Sequence, residues 1–184
     1  MNLREEILKA HSKAQCDKIV RWVGNSPDRM DELVKLFMTS EYRVIQRAGW
    51  PLSYIAIAHP SLIKKHLPSL VKLLTKQPQP DAVTRNILRL LQTVPLPASL
   101  RGSVMDTCFR FIEDPAQAIA IKAFALTVVT GMAKEYQDII PEIKLLIESQ
   151  AATQTAAFKS RAKRSLELFD KIEKGKSQKE GKDG

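Results

Sequence analysis

The chain has little of what marks a chemically specialised or secreted protein. Its 184 residues include two cysteines, Cys16 and Cys108, far apart and outside any C-x-x-C pair, so a zinc site or redox motif has no basis. Both are expected as buried, reduced thiols. There are three histidines, His11, His59 and His66, and around them no H-E-x-x-H, nucleophile elbow, glycine-rich phosphate loop or EF-hand pattern. No catalytic residue, metal or cofactor is expected. Seven glycines and ten prolines exclude collagen-like and low-complexity chains. Aromatic residues make up 6%, too few to favour single-stranded nucleic acid, which is held by stacking on exposed rings. The longest uncharged run, Ala48 to Ile63, contains Pro51, His59 and Pro60. It falls short of the roughly 18 consecutive apolar residues of a spanning helix. Met1 to Lys13 carries charges throughout and has no apolar h-region. The expectation is a cytoplasmic protein without membrane insertion. Alternating strand patterns and Asn-Gly hairpin signals are also missing.

What is there is helical. Hydrophobic residues at 44% and charged residues at 27% are the balance of a folded protein. Apolar residues recur at helical spacing in Leu33–Phe37, Leu67–Leu74, Ile87–Val94 and Ile139–Ile147. The breaks between these segments have the chemistry of helix ends. Asn25-Ser26-Pro27 offers a cap followed by a proline at the first helical position, and Ser40 precedes Glu41. Others fall at His59-Pro60-Ser61, Pro78-Gln79-Pro80-Asp81, Pro95-Leu96-Pro97 and Asp114-Pro115. The fold expected is all-α.

A repeat runs through the chain. Arg47-Ala48, Arg85-Asn86, Lys122-Ala123 and Arg161-Ala162 recur at intervals of 38, 37 and 39 residues, each preceded by an apolar helix. Pro68 and Pro141 fall at similar places in the second and fourth of those preceding helices. A helix pair cannot bury its own apolar face, whereas stacked pairs can. The stretch from Leu67-Pro68-Ser69-Leu70 through Leu74, followed by Asp81-Ala82-Val83-Thr84-Arg85, resembles a HEAT repeat. The resemblance implies a right-handed α-solenoid of about four HEAT-like helical hairpins. Residues 1–173 would form one repeat domain, with a helical cap over 1–24 and repeats over 27–58, 61–94, 97–133 and 137–173. Residues 174–184, basic and without apolar side chains, are expected to be a disordered tail.

The net charge is +9, and it is unevenly spread: residues 61–110 carry +6, residues 111–158 carry −3 and residues 159–184 carry +4. In HEAT-like arrays the second helix of each pair lines the concave face. The resemblance therefore implies a cationic stripe of Arg43, Arg47, Arg85, Arg89, Lys122 and Arg161. Such a stripe could hold an acidic peptide or protein, or follow a phosphate backbone. The same family often uses the repeated Arg or Lys to bond an Asp of a neighbouring repeat, and Asp81, four residues before Arg85, is where that ladder would begin. Gly49-Trp50-Pro51 should kink or end its helix, and the kink could present Trp50 or Tyr54 as a binding anchor. The favoured expectation is a non-enzymatic scaffold for a protein or peptide partner. The alternative is a HEAT-like nucleic-acid-binding protein related to DNA base repair, because some alkyl-purine DNA glycosylases are built from such repeats. The catalytic aromatic-plus-carboxylate set of those enzymes does not map onto this chain.

Overall fold

A computed structural model describes residues 1–76, 78–150 and 155–180, side chains of 176–180 excepted. Among the described residues the secondary structure is helical, with no strand. The chain divides into two compact units, Met1–Val104 and Met105–Gly184.

The first unit opens with α1 (Leu3–Lys9) and α2 (Lys13–Val23), started by the side chains of Asn2 and Ser12, which accept the backbone N–H of Glu5 and Gln15. Gly24, at φ 53°, ends α2 in a conformation that a side chain would strain. In α3 (Pro27–Thr39), Ser26 caps and Pro27 fills the first position, where a missing N–H removes no helical bond. Next comes α4 (Tyr42–Ala58), which continues through Pro51 rather than ending there. Pro51 deprives the Arg47 carbonyl of its helical donor. Two residues on, the Ser53 hydroxyl donates to the Gly49 carbonyl at 2.8 Å.

The next apolar segment is broken in two: α5 (Pro60–Lys64) stops and α6 (Leu67–Thr75) starts again with Pro68 in its first turn. Pro68 has no N–H for the Lys64 carbonyl and its ring would clash with that carbonyl, so a continuous helix is not available. The break is tied to α3, where Asp31 accepts from Lys65 at 2.7 Å and contacts His66 Nε2 at 2.8 Å. These partners, Lys65 ahead of His66, hold the Asp31 carboxyl below the usual carboxylate range. The unit closes with α7 (Asp81–Leu91), whose apolar face packs on α6 and, most extensively, on α4. The core gathers Phe37, Met30, Leu33, Ile55, Ile63, Leu70 and Leu74, all fully buried.

A helix α8 (Ala98–Glu113) runs from the first unit into the second. There α9 (Ile119–Met132) is the centre, packed against α10 (Ile140–Gln150) and α11 (Ala156–Glu180). Pro141 repeats the device of Pro68: a 3-10 turn at Gln137–Ile139 stands where a longer helix would have needed its N–H. On α11, Phe158, Ala162, Ser165 and Phe169 form the buried stripe at helical spacing. This helix continues to Glu180, past Lys174, where disorder was expected from the loss of apolar residues. Lys, Gln and Glu are good helix formers, and elongating a helix already anchored by packing avoids the unfavourable nucleation step. Residues 181–184 of the expected tail lie outside the described residues.

Candidate binding site

Arg43, Arg47, Trp50 and Tyr54 follow one another on α4 at spacings of four, three and four, so they form a single stripe. Its neighbour α7 comes unusually near because position 49 is glycine. A Cβ at Gly49 would lie 2.2 Å from Asn86 Nδ2 and 2.3 Å from its Cγ. Gly49 is thus a close-approach residue, which explains its presence better than a kink does. Arg85 and Arg89 flank Asn86 on α7, one helical turn apart.

The beginning of α2 completes the site. His11 packs against Trp50 with ring centroids 5.6 Å apart, and Trp50 lies 6.5 Å from Tyr54. The Lys13 ammonium sits 4.7 Å from the centre of the Tyr54 ring. One turn further along α2, burial pushes the Cys16 thiol up to about 11, and the nearby Arg89 charge opposes that shift. Lys13 and Arg89 therefore stand close to the same stretch of α2, with Tyr54 beneath Lys13.

Two features make this surface unlike an ordinary solvated one. First, Arg43, Arg85 and Arg89 form no hydrogen bond or ion pair among the described residues. The neighbouring acids Asp17 and Glu41 are already taken, by Lys13 and Arg4. Second, the Trp50 indole N–H and the Asn86 side-chain amide N–H are buried without an acceptor. Orphaned donors of this kind are uncommon, and each carries a desolvation penalty of about 1–3 kcal/mol.

The repeated cations have divided roles. Arg47 donates to the Leu8 carbonyl at the end of α1, at 2.6 Å. Lys122 is buried in the second unit and donates to Gln150 Oε1 at 3.3 Å. Arg161 donates to Thr127 Oγ1 at 2.7 Å and lies 4.8 Å over the Phe124 ring. Burial, with the Arg164 charge behind it, pulls the Arg161 pKa below its ordinary value. Three of the four repeated cations thus reach a neighbouring helix, as a structural ladder would. Their acceptors are a carbonyl, an amide and a hydroxyl instead of aspartates. Arg85 is the exception: among the described residues it pairs with no Asp of a neighbouring helix, and Asp81, where the ladder was expected to begin, is exposed at the start of α7.

Of the residues singled out from sequence, the structure gathers Arg43, Arg47, Trp50, Tyr54, Arg85 and Arg89 in the first unit. It places Lys122 and Arg161 in the second. Sequence reasoning missed His11, Lys13 and Asn86. The signal for Asn86 was present, a polar residue between Val83, Ile87 and Leu90 on an otherwise apolar helix face.

Among the described residues, no group of three His, Cys, Asp or Glu side chains is arranged to hold a metal ion, and no helix is long and apolar enough to cross a membrane. Searches of curated proteins and of solved structures returned no match. The sequence profile of the HEAT repeat domain matches residues 3–167, nearly the whole chain. With helical pairs throughout, prolines at the starts of first helices and a recurring cation on the second helices, this chain belongs to the HEAT repeat family.

Proposed function

We propose that the chain is a protein-interaction scaffold that holds an acidic segment of a protein partner on the α4–α7 face of its first unit. HEAT repeats generally serve as protein-interaction scaffolds, and the family is typically non-catalytic. The observation that carries the reading is the set of unpartnered Arg43, Arg85 and Arg89 on the two helices that also carry the Trp50–Tyr54 aromatic pair. An acidic side chain supplies the counter-charge that these arginines lack. The partly buried Trp50 and the Tyr54 ring, 36% exposed, offer the amphipathic anchor typical of interface hot spots.

The test is a capture experiment from the source cell with wild-type protein and the double variant Arg43→Glu/Arg89→Glu, each with and without nuclease. Both arginines are exposed, so the variant should keep its stability to within about 0.5 kcal/mol. Loss of a nuclease-resistant protein partner from the double variant is the expected result. Retention of every partner by the variant contradicts the proposal. Release of the bound material by nuclease would replace it with the nucleic-acid reading.

A further inference from the structure

We infer that the second unit carries its own small-molecule site, a pocket that takes a carboxylate on a compact apolar body with the Lys122 ammonium as counter-ion. The pocket has a volume of about 600 Å³, within the ordinary range of ligand cavities. Gln117 lines it from the turn before α9, Ile119 and Lys122 from the start of α9, Leu146 and Gln150 from α10, and Glu113 from the end of α8.

The electrostatics of Lys122 are unusual. The residue is 4% exposed, yet among the described residues no carboxylate oxygen lies within 4.0 Å of its ammonium. Its one hydrogen bond goes to neutral Gln150 Oε1, whose own amide N–H is committed to the Ile112 carbonyl at 2.6 Å. A lysine carries three N–H donors, so two meet no acceptor among the described residues. Residues 151–154, which follow Gln150, are Ala-Ala-Thr-Gln and contribute no acid. An uncompensated buried ammonium is strongly unfavourable.

The backbone adds to the positive field. Lys122 is the fourth residue of α9, and long helical side chains lean towards the N-terminus. Ala118, at the N-cap position, has no side chain to cap with, so the N–H groups of Ile119 and Ala120 stay open. A cation in the first turns of a helix is repelled by the helix dipole, which makes an anion at this spot doubly favourable. Glu113 on the rim disfavours a doubly charged anion, and Ile119 and Leu146 supply apolar wall. The combination selects a monoanionic carboxylate with a short hydrocarbon part over phosphate.

The experiment is a titration of the isotope-labelled full chain with hexanoate, with neutral hexanamide and with inorganic phosphate, followed by backbone amide shifts. Hexanoate should give saturable shifts at Ile119 and Ala120 and bind at least about tenfold more tightly than hexanamide, since the charge-assisted contact is lost in the amide. Lys122→Met, which keeps the length and apolar stem, should remove that preference. Should Lys122→Met fail to fold, Gln117→Glu provides the second arm, and its rim charge should weaken hexanoate by about threefold or more while leaving hexanamide unchanged. Equal affinity for acid and amide, shifts outside the pocket, or a preference for phosphate overturns the assignment.

Discussion

Replacing Gly49 by alanine tests the close approach of α4 and α7 on which the binding face is built. Taken as a helix-interior substitution alone, Gly→Ala should stabilise the protein by about 1 kcal/mol. The structure predicts the opposite sign. The new Cβ would stand 2.2 Å from Asn86 Nδ2, 2.3 Å from its Cγ and 2.8 Å from its Cβ. Comfortable carbon contacts lie at about 3.5–4.0 Å, so the Asn86 head group must retreat by more than about 1 Å. Because the Asn86 Cβ is also too close, a rotamer change alone does not relieve the overlap and the two helices must separate slightly. Overpacking of this kind costs about 1–3 kcal/mol, which leaves a net destabilisation of about 0–2 kcal/mol after the propensity gain. Asn86→Ala alone removes an orphaned buried donor along with some packing, and should change stability by less than about 1 kcal/mol. The double variant loses the worst overlaps and recovers the propensity gain, so the cycle should show a favourable coupling of about 1–2 kcal/mol. Urea unfolding followed by tryptophan fluorescence is the suitable assay, since Trp22 and Trp50 both belong to the first unit. A Gly49→Ala variant that is about 1 kcal/mol more stable than wild type, with additive effects at 49 and 86, would refute the reasoning.

Glu6 should make the first unit sensitive to acid. Hydrogen bonds from Lys18, Lys9 and Gln15 lower its carboxyl to about 2, so its stabilisation is present above the ordinary value of 4.5 and is lost as pH falls towards 2. Glu6→Gln should flatten that part of the stability–pH profile, and an unchanged profile would show that the cluster contributes nothing. Leu74 and Leu90 are buried to within 1% and their truncation to alanine should each cost about 2–5 kcal/mol in urea unfolding, whereas half-buried Leu73 should cost less. Burial raises the pKa of both Cys16 and Cys108, so neither thiol should react with a disulfide reagent at pH 8 until the protein is unfolded. Rapid native-state labelling of either would contradict the packing around it.

Much of the helical architecture was legible because its determinants are local. The cap at Ser26, the proline at position 27 and the 37- to 39-residue recurrence are short-range signals that need no knowledge of packing. Proline was harder to read, because its effect depends on which turn it occupies. Pro68 and Pro141 start helices, while Pro51 is absorbed within one. The cationic residues were found as a periodic set, but spacing cannot reveal partners. The Leu8 carbonyl, Thr127 and Gln150 lie between 28 and 39 residues away in sequence from the cations they accept. That distance is why the engaged Arg47, Lys122 and Arg161 looked the same as the unpartnered Arg85. The same limit hid Asn86, whose importance comes from the glycine on the facing helix.

The most direct test of the binding face uses the two indole N–H resonances, from Trp50 within the proposed site and Trp22 outside it, beneath Arg29 at 4.8 Å. Titration of the labelled protein with an Asp/Glu-rich peptide should move the Trp50 signal, as a charged neighbour arrives beside its half-buried ring, and leave that of Trp22 in place. The shift should disappear in Arg43→Glu/Arg89→Glu. A Trp50 resonance that stays fixed at saturation, or a double variant that titrates like wild type, contradicts the account.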